Sequence, residues 1–549
     1  MPAVTPTTIT HESPLSAPSY YHAIFEPGIT YPDSIPENEP LLVSGVNIGQ
    51  HYTFERLRRD VLTFSTILRE EFNVKRQDVV TLYAPNDVDY MAAMHGSMAA
   101  GAISVVVPIE CHESQEVADI CKQACPVVAL THFSVLETMK EALVKCNMSN
   151  IKLIIIGQDA VHDPENNLYS FQKLVEEPRD GKAMEMDPED IACTFCTSGT
   201  TGPRKLAAIS HRAAIRRLST VPCPPMSNTD HYFLACQPVS AIIGNIGTQV
   251  RIQRRVRTLI CESPLPIERL CTVIEKYKIE QITALMWTLL ELARSSVVDR
   301  FDMSSLKFIL SGGQHVPDTV RETIKQRLGT DLVSIYGGTE AWIVSSKSLG
   351  DEVPKECEGK ITPGYEVRVV DDDGKDVEPH EPGELLVKGP MTASMYYNRP
   401  DVSAKAFGKD GYYHTGDYFT MDKFGNLRYC GRNSDRIRAK NKTFPPMLLE
   451  DLCHQYSDKI KECCVVGAYS KQNGFEQPRA YIVLVEDHGL SEQQMDEFLE
   501  GLKSYINSSV SQEDMKLEGG AKFLARLPLT KSEKLDRMGL RLQAEVEVE

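Results

Sequence analysis

The chain has 549 residues, 42% of them hydrophobic and 25% charged, which is the make-up of a soluble globular protein too long for a single core. Its 59 lysines and arginines stand against 76 aspartates and glutamates, a net charge of −17. That balance excludes a nucleic-acid binder, whose affinity rests on neutralising phosphates, so no nucleic-acid partner is expected.

A polar, proline-rich segment over 1–20 reads as a flexible N-terminus without a charged-then-apolar leader. Helix and strand then alternate. Phe54, Leu57, Val61, Leu62 and Leu68 keep helical spacing, Asp78–Tyr83 reads as a strand, Met91–Ala99 as a helix, and Ser104–Val107 and Ile151–Ile156 as further strands. This alternation predicts an α/β layered domain. The longest apolar stretch, Met91–Ile109, is interrupted by His95, Gly96, Ser97, Gly101, Ser104 and Pro108, so it predicts a buried helix and strand and no membrane span. Fifteen cysteines show no disulfide framework, which predicts a reducing, cytoplasmic setting. Cys193 and Cys196 have CxxC spacing but sit in an apolar run, so buried packing is expected of them.

The stretch 194–211 crowds Thr197, Ser198, Thr200 and Thr201 around Gly199 and Gly202 and ends at Lys205. Glycines let backbone N–H groups turn toward an anion, and hydroxyls and an ammonium complete the cradle. Alone, the same residues also make an ordinary turn. Two arginine groups, Arg212, Arg216 and Arg217 and then Arg251, Arg254, Arg255 and Arg257, read either as local positive sites or as solvated helix faces. The loop 334–340 joins Tyr336, Gly337, Gly338, Thr339 and Glu340, offering an aromatic face for a base and a carboxylate for a hard cation; a hairpin turn is the other reading.

Between about 350 and 430 the texture changes. Glu366–Val370, the turn Asp371–Gly374 and Glu384–Lys388 predict a small β-rich subdomain. Within it, Gly411–Asp417 ends on a carboxylate suited to paired ribose hydroxyls, or on an aspartate in a glycine-bounded turn. From 431 an α+β unit is expected over 431–549, with strands at Cys463–Val466 and Ala480–Val485. Its helix is capped by Ser491 with Gln494, and Met495, Phe498, Leu499 and Leu502 form one apolar face. The block 431–438 and the block 527–537, which places Lys534 in a polar loop, complete the series.

Taken in order, these five blocks resemble the signature motifs of the adenylate-forming superfamily: acyl-CoA synthetases, peptide-synthetase adenylation domains and beetle luciferases. The likeness runs over about 40–537 and is strongest to the 4-coumarate–CoA ligase and medium-chain acyl-CoA synthetase branch. It implies an α/β fold with a large N-terminal AMP-binding domain (21–430) of two α/β subdomains plus a β-rich subdomain, and a small mobile α+β C-terminal domain. Carried over by position, it implies that Thr197, Ser198, Gly199, Thr200, Thr201, Gly202 and Lys205 hold ATP phosphates. Tyr336 then stacks on adenine, Thr339 contacts phosphate or carboxylate, Glu340 binds Mg²⁺, and Asp417 with Arg432 binds ribose. Ser434 falls at the hinge, and Lys534 is the lysine that enters for adenylation. The chain departs from the pattern at Arg204-Lys205-Leu206, Ala241, Asn441 and Glu533.

The implied reaction is acyl activation: a carboxylic acid and ATP give acyl-AMP, and coenzyme A displaces AMP. The amine-binding aspartate of amino-acid-activating relatives has no counterpart in Gln237–Gly244, which points to a fatty or aromatic acid. Ala241, Ile242 and Ile246 are expected to form the apolar acyl wall, with Gly312 and Gly337 in the same pocket. The stretch after Arg537 is too short for a fused carrier domain, so coenzyme A is the expected acceptor, with a carrier protein or synthase downstream. Two alternatives stay open: an acyl-AMP ligase loading a separate carrier protein, and a non-catalytic nucleotide-binding relative.

Overall fold

The computed structural model describes residues 17–26, 28, 30–47, 49–197, 203–348, 350–354, 356–485, 488–529 and 535–548. The chain divides into two compact units, residues 1–366 with 387–413 and residues 367–386 with 414–549.

The first unit is built on two large, mostly parallel sheets. In the eight-stranded sheet the order is Met395–Tyr396, Lys205–Ser210, Ile191–Thr197, Ile103–Val107, Val79–Tyr83, Val128–His132, Lys152–Ile156 and Leu168–Ser170. Its middle strands are parallel and the first three are joined antiparallel. Helix α1 (Phe54–Glu70) starts on Thr53, whose hydroxyl accepts from the Arg56 N–H, and buries Phe54, Leu57, Val61, Phe64 and Leu68. Each such side chain contributes about 1.5–3 kcal/mol. Helix α2 (Val88–Ala99) is buried along its whole length. A Cβ on Gly96 would stand 2.6 Å from the Phe64 ring, so only glycine lets the two helices approach this closely. The expected buried helix and strand over 91–109 are therefore found, and no described helix is long and apolar enough to cross a membrane.

The nine-stranded sheet runs Lys360–Ile361, Trp342–Ser348, Asp331–Gly338, Phe308–Gly312, Ile279–Ala284, Tyr232–Ala235, Thr258–Ile260, Pro40–Ser44 and His51–Thr53. The strands between Asp331–Gly338 and Pro40–Ser44 are parallel, and Trp342–Ser348 returns antiparallel, so Thr339, Glu340 and Ala341 occupy a hairpin turn. Helix α3 (His211–Thr220) follows directly on the strand Lys205–Ser210, and helix α4 (Ile242–Arg254) begins after Ala241.

Arg212 is exposed, as a solvated helix face predicts, but three of the seven arginines differ from both sequence expectations. Arg217, Arg251 and Arg254 are buried, neither solvated nor open to an anion. Arg254 Nη2 donates to both carboxylate oxygens of Asp33, at 2.9 and 3.0 Å. Arg251 donates to Gln281 at 3.0 Å and lies 4.2 Å from the centre of the Phe233 ring. Cys193 and Cys196 are free thiols on the strand Ile191–Thr197, as packing predicts; burial pushes Cys193 up to about 12 and Cys196 higher still.

The second unit carries most of a four-stranded sheet (Glu366–Val370, Gly383–Lys388, Tyr413–Met421, Leu427–Arg432). The turn after the first strand closes with Gly374 N–H on the Asp371 carbonyl at 3.0 Å. A second sheet pairs Ile460–Ser470, Phe475–Leu484 and Ala521–Phe523, longer strands than the sequence predicts. Helices α5 (Met447–Tyr456), α6 (Glu492–Ser509) and α7 (Arg537–Val548) complete the unit, and both bonds of the Ser491–Gln494 capping box are formed.

Candidate functional site

The phosphate-type loop is framed by a hairpin, with Thr197 directly opposite Lys205. Both are half-buried. Ser198, Gly199, Thr200, Thr201 and Gly202 lie outside the described residues, as do Glu533 and Lys534. The next strand pairs Tyr396 with Ala207, which carries the Tyr396 ring beneath the Lys205 ammonium, 4.9 Å from its centre. The Tyr396 hydroxyl donates to Glu340 Oε1 at 2.7 Å. Burial, and then the charge of Glu340, hold this phenol far above its ordinary value, so it stays a donor. A cation, a phenol and a carboxylate thus stand in one line that joins the two sheets of the first unit.

Glu340 is presented by its turn. Tyr336 and Thr339 are half-buried beside it, and Gly337 sits at a register shift between the strands. A Cβ on Gly337 would stand 1.7 Å from the Trp342 carbonyl oxygen, so the strands close only around glycine. The second carboxylate oxygen, Oε2, faces Gly338, where a Cβ would stand 3.7 Å away. Among the described residues no group of three or more His, Cys, Asp or Glu is arranged to hold a metal ion. One carboxylate with an open side fits Mg²⁺ that arrives on a polyphosphate and keeps water ligands.

Of the residues expected to line an acyl pocket, two are placed in the core of the first unit. Ile246 is buried in one cluster with Ile335, Trp342, Ile343 and Met391, and Ile242 packs against it. Ala241 precedes α4 without a side-chain capping bond. Gly312 pairs with Ile335 on the neighbouring strand, and a Cβ there would stand 2.7 Å from Ile335 Cγ1.

In the second unit Asp417 and Arg432 are register partners on adjacent strands, and Arg432 Nε lies 3.2 Å from Asp417 Oδ1. The Asp417 N–H donates to Thr415 Oγ1 at 3.0 Å, after Gly416 takes a positive φ of 69°. Ser434 lies in the short turn Asn433–Asp435, and its carbonyl accepts from Arg541 at 3.3 Å. Sequence reasoning missed Tyr396 and Trp342 in the first unit, and named Arg217 only as part of a local positive site or a solvated helix face. Met395-Tyr396-Tyr397 has no motif spacing, and only strand pairing brings Tyr396 to Lys205.

The model of a protein family described as AMP-binding enzyme matches residues 35–397. A long-chain-fatty-acid–CoA ligase of Escherichia coli O157:H7 is 28% identical over 478 residues, 82% of this chain and 84% of that one. A probable 4-coumarate–CoA ligase 1 of Dictyostelium discoideum is 26% identical over 487 residues, 83% of this chain and 85% of that one. The fold is that of the anthranilate CoA ligase AuaEII, solved in complex with anthranoyl-AMP, with a TM-score of 0.78 at 21% identity over 96% of this chain and 97% of that one.

Proposed function

We propose, from the premise that this chain belongs to the AMP-binding enzyme family, that it is an AMP-forming acid–thiol ligase which makes the coenzyme A thioester of a fatty or aromatic carboxylic acid. In the first step a carboxylate oxygen bonds to the α-phosphorus of ATP and the bond to pyrophosphate breaks. In the second, the coenzyme A thiol, losing its proton to solvent, attacks the acyl carbon and AMP leaves.

Carboxylates are poor electrophiles, and the mixed anhydride supplies the leaving group. The chain's part is positioning and charge neutralisation. Lys205, with the loop that follows Thr197, holds the departing phosphates; Tyr336 stacks on the base, and Thr339 orients the carboxylate. Asp417, beside Arg432, accepts from the ribose hydroxyls. Lys534 spans carboxylate and α-phosphate during adenylation. Mg²⁺ on Glu340, when bound, neutralises charge building on the phosphates. Ile242 and Ile246, packed in one core cluster, together with Ala241, Gly312 and Gly337, take the alkyl or aryl tail in this reading. We place the enzyme in the cytoplasm, which supplies ATP and reduced coenzyme A, and expect a synthase or acyl-carrier protein to take up the product.

The observation that carries this reading is the line Lys205–Tyr396–Glu340, a phosphate-type cation and a metal-type carboxylate set against one phenol. The test is pyrophosphate release over a panel of fatty, aromatic and amino acids, with thioester identified by mass. Release is expected with fatty or aromatic acids and abolished by Glu340→Ala. A protein that binds ATP and releases pyrophosphate with none of the acids overturns the ligase reading.

A further inference from the structure

Arg217 is a fully buried cation, on α3. A guanidinium out of water is tolerated only where acceptors replace its hydration. Its described acceptors are backbone carbonyls: Nε donates to Met391 at 2.8 Å, and Nη2 to Thr339 at 3.1 Å and Glu340 at 3.3 Å. Two of these belong to the consecutive peptides on either side of the Glu340 Cα, the residue that bears the metal-type carboxylate. Burial lowers the Arg217 pKa, with the charge of Glu340 among the compensating influences, and the group remains a cation.

One residue of the turn that Arg217 touches is held in an unfavourable backbone conformation. Trp342 has a φ of 66°, in the left-handed region that bulky side chains avoid. It is kept there from outside: the indole N–H donates to Thr220 Oγ1 at 2.8 Å, and the Arg217 guanidinium lies 5.7 Å from the ring centre. Arg217 and Thr220 are three residues apart, hence on one face of α3. The Ala393 N–H donates to the Glu340 carbonyl at 2.6 Å, and the Tyr365 hydroxyl to that of Ala341. Each carbonyl from Thr339 to Ala341 therefore has a donor from another element. Helix α3 itself continues the strand that bears Lys205.

We propose that Arg217 is a positioning residue, which with Thr220 clamps the Thr339–Trp342 turn to α3 and so fixes Glu340 relative to Lys205 for a metal–polyphosphate. The inference rests on the ligase reading for its purpose, but its geometry concerns metal–nucleotide binding alone. Arg217 touches the turn's backbone and not the reacting atoms.

The test uses the full chain carrying Trp287→Phe, so that of the two tryptophans only Trp342 reports. Arg217→Lys, Arg217→Met and Thr220→Val are compared by Mn²⁺ binding in the presence of ATP, read by electron paramagnetic resonance. ATP affinity in chelator, Trp342 emission and the urea midpoint are measured alongside. The Arg217 variants should lose about 10–100-fold in Mn²⁺ affinity, as removal of a support behind a metal ligand does, while metal-free ATP affinity stays within about twofold. Thr220→Val should shift Trp342 emission and lose about 3–10-fold in Mn²⁺ affinity, since the Arg217 bonds remain. Folded Arg217 variants with unchanged Mn²⁺ affinity overturn the proposal, and so does equal loss of metal-free and metal-dependent binding. Should the Arg217 variants not fold, Thr220→Val decides: a shifted Trp342 emission with unchanged Mn²⁺ affinity overturns it. A parent chain that binds Mn²⁺ and ATP yet releases no pyrophosphate defeats the ligase reading and leaves this test standing.

Discussion

Replacing Tyr396 by phenylalanine removes one hydroxyl and leaves its surroundings intact. The ring packs against Phe407 with centres 5.5 Å apart, the Tyr396 N–H still donates to Ser403 Oγ at 2.9 Å, and Lys205 still has an aromatic face beneath it. What is lost is the 2.7 Å bond to Glu340 Oε1 from a phenol only 4% exposed. A hydrogen bond to an ionised acceptor is worth about 1.5–3 kcal/mol net. Glu340 is half-buried and water can take the vacated position, so the lower end applies, about 1.5 kcal/mol or tenfold. The expected result for Tyr396→Phe is an about tenfold rise in the Mg²⁺ concentration giving half-maximal pyrophosphate release, with metal-free ATP affinity unchanged. Pyrophosphate release titrated with Mg²⁺, beside calorimetry of ATP in chelator, measures both. A Glu340→Ala background, read by Mn²⁺ binding in the presence of ATP, supplies the control, because with the acceptor gone Tyr396→Phe should add nothing. Additive effects of the two substitutions, or an unchanged Mg²⁺ titration, would refute the reasoning that Tyr396 acts through Glu340.

Asp417→Ala should chiefly weaken ATP binding by calorimetry, since the carboxylate that Arg432 steadies at 3.2 Å is the proposed ribose acceptor; unchanged affinity removes Asp417 from the site. Lys534→Ala should lose about 10²–10³ in rate from acid and ATP, yet still convert supplied acyl-AMP and coenzyme A to thioester. Equal loss of both half-reactions would show that Lys534 does not serve adenylation alone. His95, buried with neither ring nitrogen hydrogen-bonded among the described residues, is held down to about 3, so the unfolded chain takes up its proton near 6.5 while the native state does not. The stability it contributes is present above pH 6.5 and lost as pH falls toward 3, by about 5 kcal/mol, and His95→Leu should flatten that slope in urea unfolding at pH 7 and pH 5; an unchanged slope contradicts the assignment.

The elements legible in the sequence were those whose cause is local. The 3.6-residue spacing of Phe54, Leu57, Val61 and Leu68 is the buried face of α1, and Ser491 with Gln494 is a complete capping box because both partners lie within one turn. The turn Asp371–Gly374 likewise needs only its own residues. The strand Ile460–Ser470 runs beyond the expected Cys463–Val466 at both ends, and Phe475–Leu484 starts well before the expected Ala480–Val485. Their outer residues, such as Glu476 and Gln477, are polar, and it is the ladder with Tyr469 and Ala468 that makes them strand. Pairing of that kind has no signature in either segment read alone.

The same distinction divides the candidate site. In the first unit Thr197, Lys205, Tyr336 and Glu340 are singled out because the chemistry asks for particular residue types within a few positions of one another, and in the second unit Asp417 is singled out on the same ground. The parts of Tyr396 and Arg217 are not, since each arises through contacts distant in sequence, Tyr396 with Ala207 and Arg217, read only as a local positive site or a solvated face, with Thr339, Glu340 and Met391. Arginines clustered on a helix read as solvated because water is their usual partner. What reverses that reading is a set of acceptors supplied by the fold: a carboxylate for Arg254, an amide oxygen and an aromatic face for Arg251, peptide carbonyls for Arg217. The three solutions do not do the same work. A carboxylate partner balances charge and can be met at many places in a fold, whereas carbonyls bind a guanidinium only where the backbone has already turned to present them. Arg217 and the Glu340 turn therefore specify each other, and a substitution at either should be felt at the other before it is felt by the rest of the sheet.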